Sequence, residues 1–306
     1  MRTQAAAIRG LILVLYAATL FEAWTLGPTV DEPSHIVSSW LWWHGRDRLY
    51  PRDMPPLTKI VGGTGIAWLD LPIPPDLGKP GDTRSEWAEG AALFAKVPVS
   101  QFQIFLFSAR IALLTFPILT ALLLWRWSRD LFSPATAGIV TALWIFCPTV
   151  LGHSGIFKND LAATFTYLLF WYQAWQFWRT PNTLRAATLA IATALAVLSK
   201  LSLLFLLGIL PFILIARALR SRQYLMAIVW PLLAFTSVWL LTIGAYQFEL
   251  HWGSQGELAR LATDPAIPRT FLAIASITQF VPVPEAAWTG VVSLFKSAAD
   301  PVPVYM

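Results

Sequence analysis

Residues 186–216 read AATLAIATALAVLSKLSLLFLLGILPFILIA, a continuous apolar run whose one charged side chain is Lys200. As a single helix, at about 1.5 Å per residue, it would reach roughly 46 Å. That is well past the ~30 Å hydrocarbon core of a bilayer. The run therefore has to turn back, and SKLS (199–202) is where it can. Arg185 and Arg217 flank it, as expected of a hairpin whose two ends share one side of a membrane.

Working outward, the same length criterion predicts seven membrane spans, at 8–26, 103–125, 135–152, 161–178, 184–199, 201–217 and 224–247. Composition agrees. The chain is 56% hydrophobic and 13% charged, with 16 Trp and 19 Phe, where a soluble domain carries roughly 25% charged residues. An all-α multi-pass membrane protein is expected. The formal charge of +5 does not point to nucleic acid, because the arginines fall in short clusters between apolar runs, the pattern that orients membrane helices. A single cysteine, Cys147, excludes an internal disulfide. The first run, RGLILVLYAATLFEAWTLG (9–27), is long enough to span, and no small-x-small cleavage site follows it.

Arg2, Arg9, Arg126, Arg129, Arg179, Arg185, Arg217, Arg220 and Arg222 fall on one side of this topology, and only Lys158 and Lys200 occupy the short turns on the other. The N-terminus is therefore expected in the cytoplasm, with segment 27–101 and the chain beyond 248 outside the plasma membrane. Within the first outer loop, HIVSSWLWWHG (35–45) predicts an interfacial helix lying flat on the outer surface, with Trp40, Trp42 and Trp43 at the headgroups.

Asp31, Glu32, His35, Lys59, His153, Lys158, Asp160, Lys200 and His251 all map to the outer side, and the inner side holds little but arginine and Asp130. Each has an ordinary structural reading. Asp31, followed by Pro33, suits a helix cap, although His35 lies four residues on and so on the same helical face. Asp160 in HSGIFKND (153–160) is another natural cap. Lys59 in MPPLTKI (54–60) and Lys200 suit interfacial anchors. Arg110 differs: a cation within the second span is costly and needs a partner or a water-filled cavity.

Five stretches in order, TVDEPSHI (29–36), YPRDMPPLTKIVGG (50–63), SAR (108–110), CPTVLGHSGIFKNDLAATF (147–165) and LAVLSKLSLLFLL (195–207), resemble the polyprenyl- or dolichyl-phosphate-sugar-dependent glycosyltransferases of the protein O-mannosyltransferase family. That is glycosyltransferase family 39, with the GT-C fold, and the resemblance runs over essentially the whole chain. One position departs, since many relatives have His where Met54 precedes the Pro-Pro-Leu.

The resemblance implies a GT-C-like catalytic core over 1–250, including the outer loop, and a second extracytoplasmic loop that begins at 251 and is left incomplete at 306. It implies an inverting transferase that moves a sugar from a lipid phosphate to an acceptor on a protein, a lipid or the cell envelope. The acidic pair Asp31 and Glu32 would be catalytic, Lys59, Arg110 and Lys200 would bind the donor phosphate, and Asp160, His35 and His153 would support them. The leaving phosphate is already a stable anion, so the chemistry needs cations more than a general acid. No cofactor is required on this reading, and a divalent metal stays open. Two rivals from other classes remain: a lipid-linked sugar flippase or secondary transporter, and a non-catalytic assembly subunit.

Overall fold

The computed structural model describes residues 2–49 and 54–299. The first four residues of YPRDMPPLTKIVGG and the last of the chain thus lie outside it, as does the Arg2 side chain. Among the described residues, the protein is all-α apart from one two-stranded ribbon. α1 (Arg2–Thr25) leads into a long loop that carries α2 (Glu32–Trp43), α3 (Pro56–Gly63) and α4 (Glu86–Lys96). α5 (Val99–Ile111) continues through one 3-10 turn into α6 (Thr115–Leu131). α7 (Pro134–Ile145), α8 (Pro148–Ser154), α9 (Asp160–Arg179), α10 (Thr183–Ser199), α11 (Leu206–Arg220) and α12 (Met226–Ala245) follow.

Among the described residues, four helical segments are long and apolar enough to cross a membrane: Ile8–Thr25, Val99–Leu131, Leu201–Arg220 and Met226–Ala245. The pair α7 and α8, bent by 57°, makes a fifth if it counts as one span. This is the helix set of a membrane protein. The other two predicted spans coincide with α9 and α10. The Tyr, Gln and Trp content of α9 makes it less apolar, and α10 is only 17 residues long.

The run at 186–216 turns back where the sequence required. Lys200 takes an extended conformation after α10, and a 3-10 turn, Leu201–Phe205, starts the return. At the far end Arg217 Nε donates to the Trp178 carbonyl at 2.6 Å and Arg185 donates to that of Gln176, so the basic ends of α9, α10 and α11 gather. α10 packs between α9 and α12 through Ala186, Ala190 and Ala194; such small residues let helix backbones approach closely.

This long loop corrects one expectation. α2 does not lie on the surface, because Ile36, Val37 and Leu41 are fully buried in a core shared with Met54, Ile66, Leu93, Leu106 and Phe157. Trp40 is buried too, its indole donating to the Leu69 carbonyl at 3.1 Å. Trp42 reaches the end of α12 at the Ala245 carbonyl, 3.0 Å away, and only Trp43 is exposed. The tryptophans hold the loop to the bundle instead of floating it on lipid headgroups.

α4 crosses the start of α2 at Gly90, where a Cβ would collide with the backbone of Pro33 and Ser34. Gly90→Ala should therefore cost about 1–3 kcal/mol by forcing the two helices apart, read as a lowered unfolding temperature in detergent. An unchanged midpoint would mean that the crossing yields freely.

Beyond α12 a small unit is closed by β1 (Leu250–His251) pairing antiparallel with β2 (Val283–Pro284). It contains α13 (Gln255–Thr263), α14 (Arg269–Ala275) and α15 (Glu285–Ala299) around Leu261, Phe271 and Trp288.

Candidate functional site

The site begins with the unsatisfied carbonyls that any helix leaves at its C-terminus. Where α1 ends, Arg110 of α5 supplies the missing donors. Its Nη1 donates to the carbonyls of Ala23 (3.1 Å) and Leu26 (2.7 Å), and Nη2 donates to that of Gly27 (2.8 Å). Nε and Nη2 meet the two oxygens of Glu32 at 2.7 and 2.6 Å. Glu32 in turn accepts the backbone N–H of Phe157 (2.7 Å) and of Thr29 (2.8 Å). Both side chains are completely buried.

A guanidinium has five N–H donors and a carboxylate about four acceptor positions, and here every one is taken. This overturns two sequence-based expectations. Arg110 has no N–H left for a donor phosphate, and Glu32 has no lone pair left to accept a proton. Together they lock the α1–α2 turn to α5 and to the segment before α9. Nor does Arg110 sit in the middle of a span. The 33-residue segment Val99–Leu131 is roughly 50 Å long, and Arg110 stands level with the end of α1.

A second, more open set of charges surrounds this lock. Asp31 occupies the N-cap position of α2, but its side chain makes no capping bond. It meets Lys158 instead, Oδ2 to Nζ 2.7 Å. Asp160 is the first residue of α9, directly after the N-cap residue Asn159, and pairs with Lys200 at 2.6 Å. Lys158 also feels the charge of Asp160, so the four groups alternate in sign: Asp31, Lys158, Asp160, Lys200. Their side chains are 32%, 33%, 31% and 40% exposed, so solvent and solutes reach all of them. The hydrogen bond that Lys158 donates to Asp31, reinforced by both carboxylate charges, outweighs burial and pushes the Lys158 ammonium above its usual range. Lys158 thus stays charged throughout the physiological range.

Beside this row, His153 Nδ1 lies 2.9 Å from the Thr149 carbonyl, which can only accept, so Nδ1 carries the proton. His153 is within electrostatic reach of Asp160 and of Glu22. Glu22, inside the apolar run of α1, accepts the N–H of Gly155, and its Oε2 is buried without a hydrogen-bond partner. α8 can come this close because residue 155 is glycine: a Cβ there would lie 2.7 Å from that of Glu22.

Lys59 and His35 are not part of the row. Lys59 is 3% exposed and pairs with Asp47 at 2.7 Å, so its ammonium faces a carboxylate within the protein, contrary to the expected phosphate contact. One turn on, Gly62 lies against the Phe157 ring, so α3 braces the segment that carries Lys158. His35, half-buried, lies one turn into α2, and its carbonyl accepts from Ser38 and Ser39.

Among the described residues, no group of three or more His, Cys, Asp or Glu is placed to hold a metal ion. Two adjoining depressions of about 450 and 330 Å³ open in the C-terminal unit, away from the row. Two pairs within their linings are close, His251 with Glu257 at 3.0 Å and Lys296 with Asp264 at 3.3 Å. Lys158, Asp47 and Glu22 went unassigned in the sequence reading; only Lys158 carried a signal, its place beside Asp160 in GIFKND (155–160).

Fold and site together define an all-α membrane protein with a half-exposed row of alternating charges at one end of its bundle. No family model, curated protein or solved structure matches the chain.

Proposed function

We propose that this protein is an inverting glycosyltransferase that takes a sugar from a polyprenyl-phosphate donor and passes it to an acceptor hydroxyl or amine. The observation that carries this reading is the row Asp31, Lys158, Asp160, Lys200, half-exposed at the end of apolar helices. There a lipid-borne phosphate and an aqueous acceptor can meet. The resemblance to the family 39 transferases supplies the reaction class. In this reading the chain crosses the plasma membrane seven times, with α9 and α10 among the spans, and the arginine-rich ends and the N-terminus are cytoplasmic.

The chemistry follows from the row. The Asp31 carboxylate takes the proton of the acceptor as its oxygen or nitrogen attacks the anomeric carbon. The bond from that carbon to the phosphate oxygen breaks, and its electron pair leaves with polyprenyl phosphate. Lys158 and Lys200 hold the growing phosphate charge, and Asp160 orients both ammonium groups between turnovers. Asp31 gains reactivity as Lys158 turns from it to the phosphate, since a carboxylate relieved of its ion pair is the stronger base. A transporter reading has less support, because its ionisable groups would line a path near the midplane, whereas these collect at one end.

The phosphate site can be tested without knowing the sugar. Polyprenyl phosphate, the product common to every such donor, should bind the purified protein, and Lys158→Ala or Lys200→Ala should each weaken binding about 10- to 100-fold, the worth of one charge-assisted hydrogen bond. Titration in detergent, followed by native mass spectrometry, reads this directly. Equal binding by both variants and the wild type would remove the phosphate from this row.

A further inference from the structure

We propose that residues 273–281, AIASITQFV, form a membrane-inserted edge of the C-terminal unit, embedded among lipid acyl chains beside α12. The inference needs only that α12 spans the bilayer, and it is independent of the transferase reading.

The depth comes from α12 itself. Its 20 residues, Met226–Ala245, are roughly 30 Å long, one hydrocarbon thickness, so Ala245 marks a boundary. Trp239 lies six residues inside that end, about 9 Å deep. Its indole N–H donates to the Pro282 carbonyl at 2.8 Å. The chain around 282 therefore does not stay above the boundary: it runs down the flank of α12 to the depth that interfacial elements reach, about 5–10 Å.

The side chains suit that place. Ile274, Ile277, Phe280 and Val281 are 63%, 55%, 81% and 43% exposed, a stripe with three- and four-residue spacing. The stretch has no charged residue, the nearest being Arg269 and Glu285. Hydrocarbon favours backbone whose polar groups are already bonded, and several groups of this stretch are. Phe280 and Val281 donate to the Ile277 carbonyl, and the Thr278 carbonyl accepts from Gly253. The polar side chains are bonded within the unit as well: Ser276 donates to the Ala273 carbonyl (2.7 Å), Thr278 donates to that of Ala275 (2.7 Å), and Gln279 Oε1 accepts from Gln255 Nε2 (2.8 Å).

A contiguous exposed apolar surface marks an interaction site, and its surroundings identify the partner. The exposed Leu240 and Leu241 of α12 lie next in sequence to Trp239 and present the same apolar chemistry at the same depth. Phe248 and Trp252, also exposed, follow the end of α12, where an aromatic belt belongs. Any surface level with Leu240 is bathed by whatever bathes α12, and for a spanning helix that is lipid.

The test uses the full chain in proteoliposomes, in a Cys147→Ser background, with a fluorophore attached to Ile277→Cys or Phe280→Cys. Gly256→Cys, an open position on α13, serves as the water-side control. Lipids brominated near the top of the acyl chain should cause loss of emission at 277 and 280 while aqueous iodide does not, and the pattern should reverse at 256. Iodide quenching at 277 and 280 would overturn the proposal. So would protection from both quenchers, which would mean that protein covers the stripe.

Discussion

Asp31→Asn is expected to lower sugar transfer by about 10² to 10⁴, the usual cost of losing a general base, in a protein that remains folded and binds its donor. The amide keeps the shape of the side chain and an oxygen for Lys158, yet it cannot take a proton. The structure makes this substitution unusually clean. Asp31 stands at the N-cap of α2 but makes no capping bond, so activity lost in the variant cannot be charged to a frayed helix. Asp31→Ser serves as the companion: it offers a better cap and no base, and should be equally inactive. Single-turnover transfer from labelled donor measures both. Near wild-type transfer in either would move the base to Asp160, because Glu32 has its acceptor positions filled.

Arg110→Met should have the largest effect on folding. Removing one partner of a buried, fully bonded ion pair costs about 3–5 kcal/mol, and here the loss also strands the carbonyls of Ala23, Leu26 and Gly27. Loss of monodisperse protein in mild detergent, or a steep fall in its unfolding temperature, is the expected result. Replacing both partners, Glu32→Leu with Arg110→Leu, should not restore stability. In many proteins that exchange is neutral, but here it would orphan the N–H groups of Thr29 and Phe157 as well. A double variant as stable as the wild type would show that the pair is dispensable to the α1–α2 turn.

Lengths of apolar runs carried most of the fold into view, since backbone in lipid has few options but helix. They placed α1, the Val99–Leu131 segment, and the α10–α11 hairpin with its turn at Lys200. They did less well in the loop between α1 and α5, where Trp40 and Trp42 are chemically suited both to a lipid interface and to a protein core. Only the partners, Leu69 and Ala245, decide between them. The site was legible as a set of residues and illegible as a set of pairs. Arg110 plainly needed a partner, yet Glu32 lies 78 positions away. Asp31 and Asp160 looked like caps because helix starts are where aspartate sits, and nothing local foretold that they would pair with Lys158 and Lys200. Glu22 was hidden by its apolar neighbours, and Asp47 sits between two motifs, 35–45 and 50–63, without belonging to either.

The most direct test of the central claim is to follow label in proteoliposomes that hold the purified protein and a panel of polyprenyl-phosphate sugars. The account predicts that, for one donor, label leaves the lipid phase as polyprenyl phosphate appears in equal amount, and that Asp31→Asn abolishes the conversion. Label that crosses the bilayer still attached to its lipid, at the same rate in the wild type and in Asp31→Asn, would contradict it.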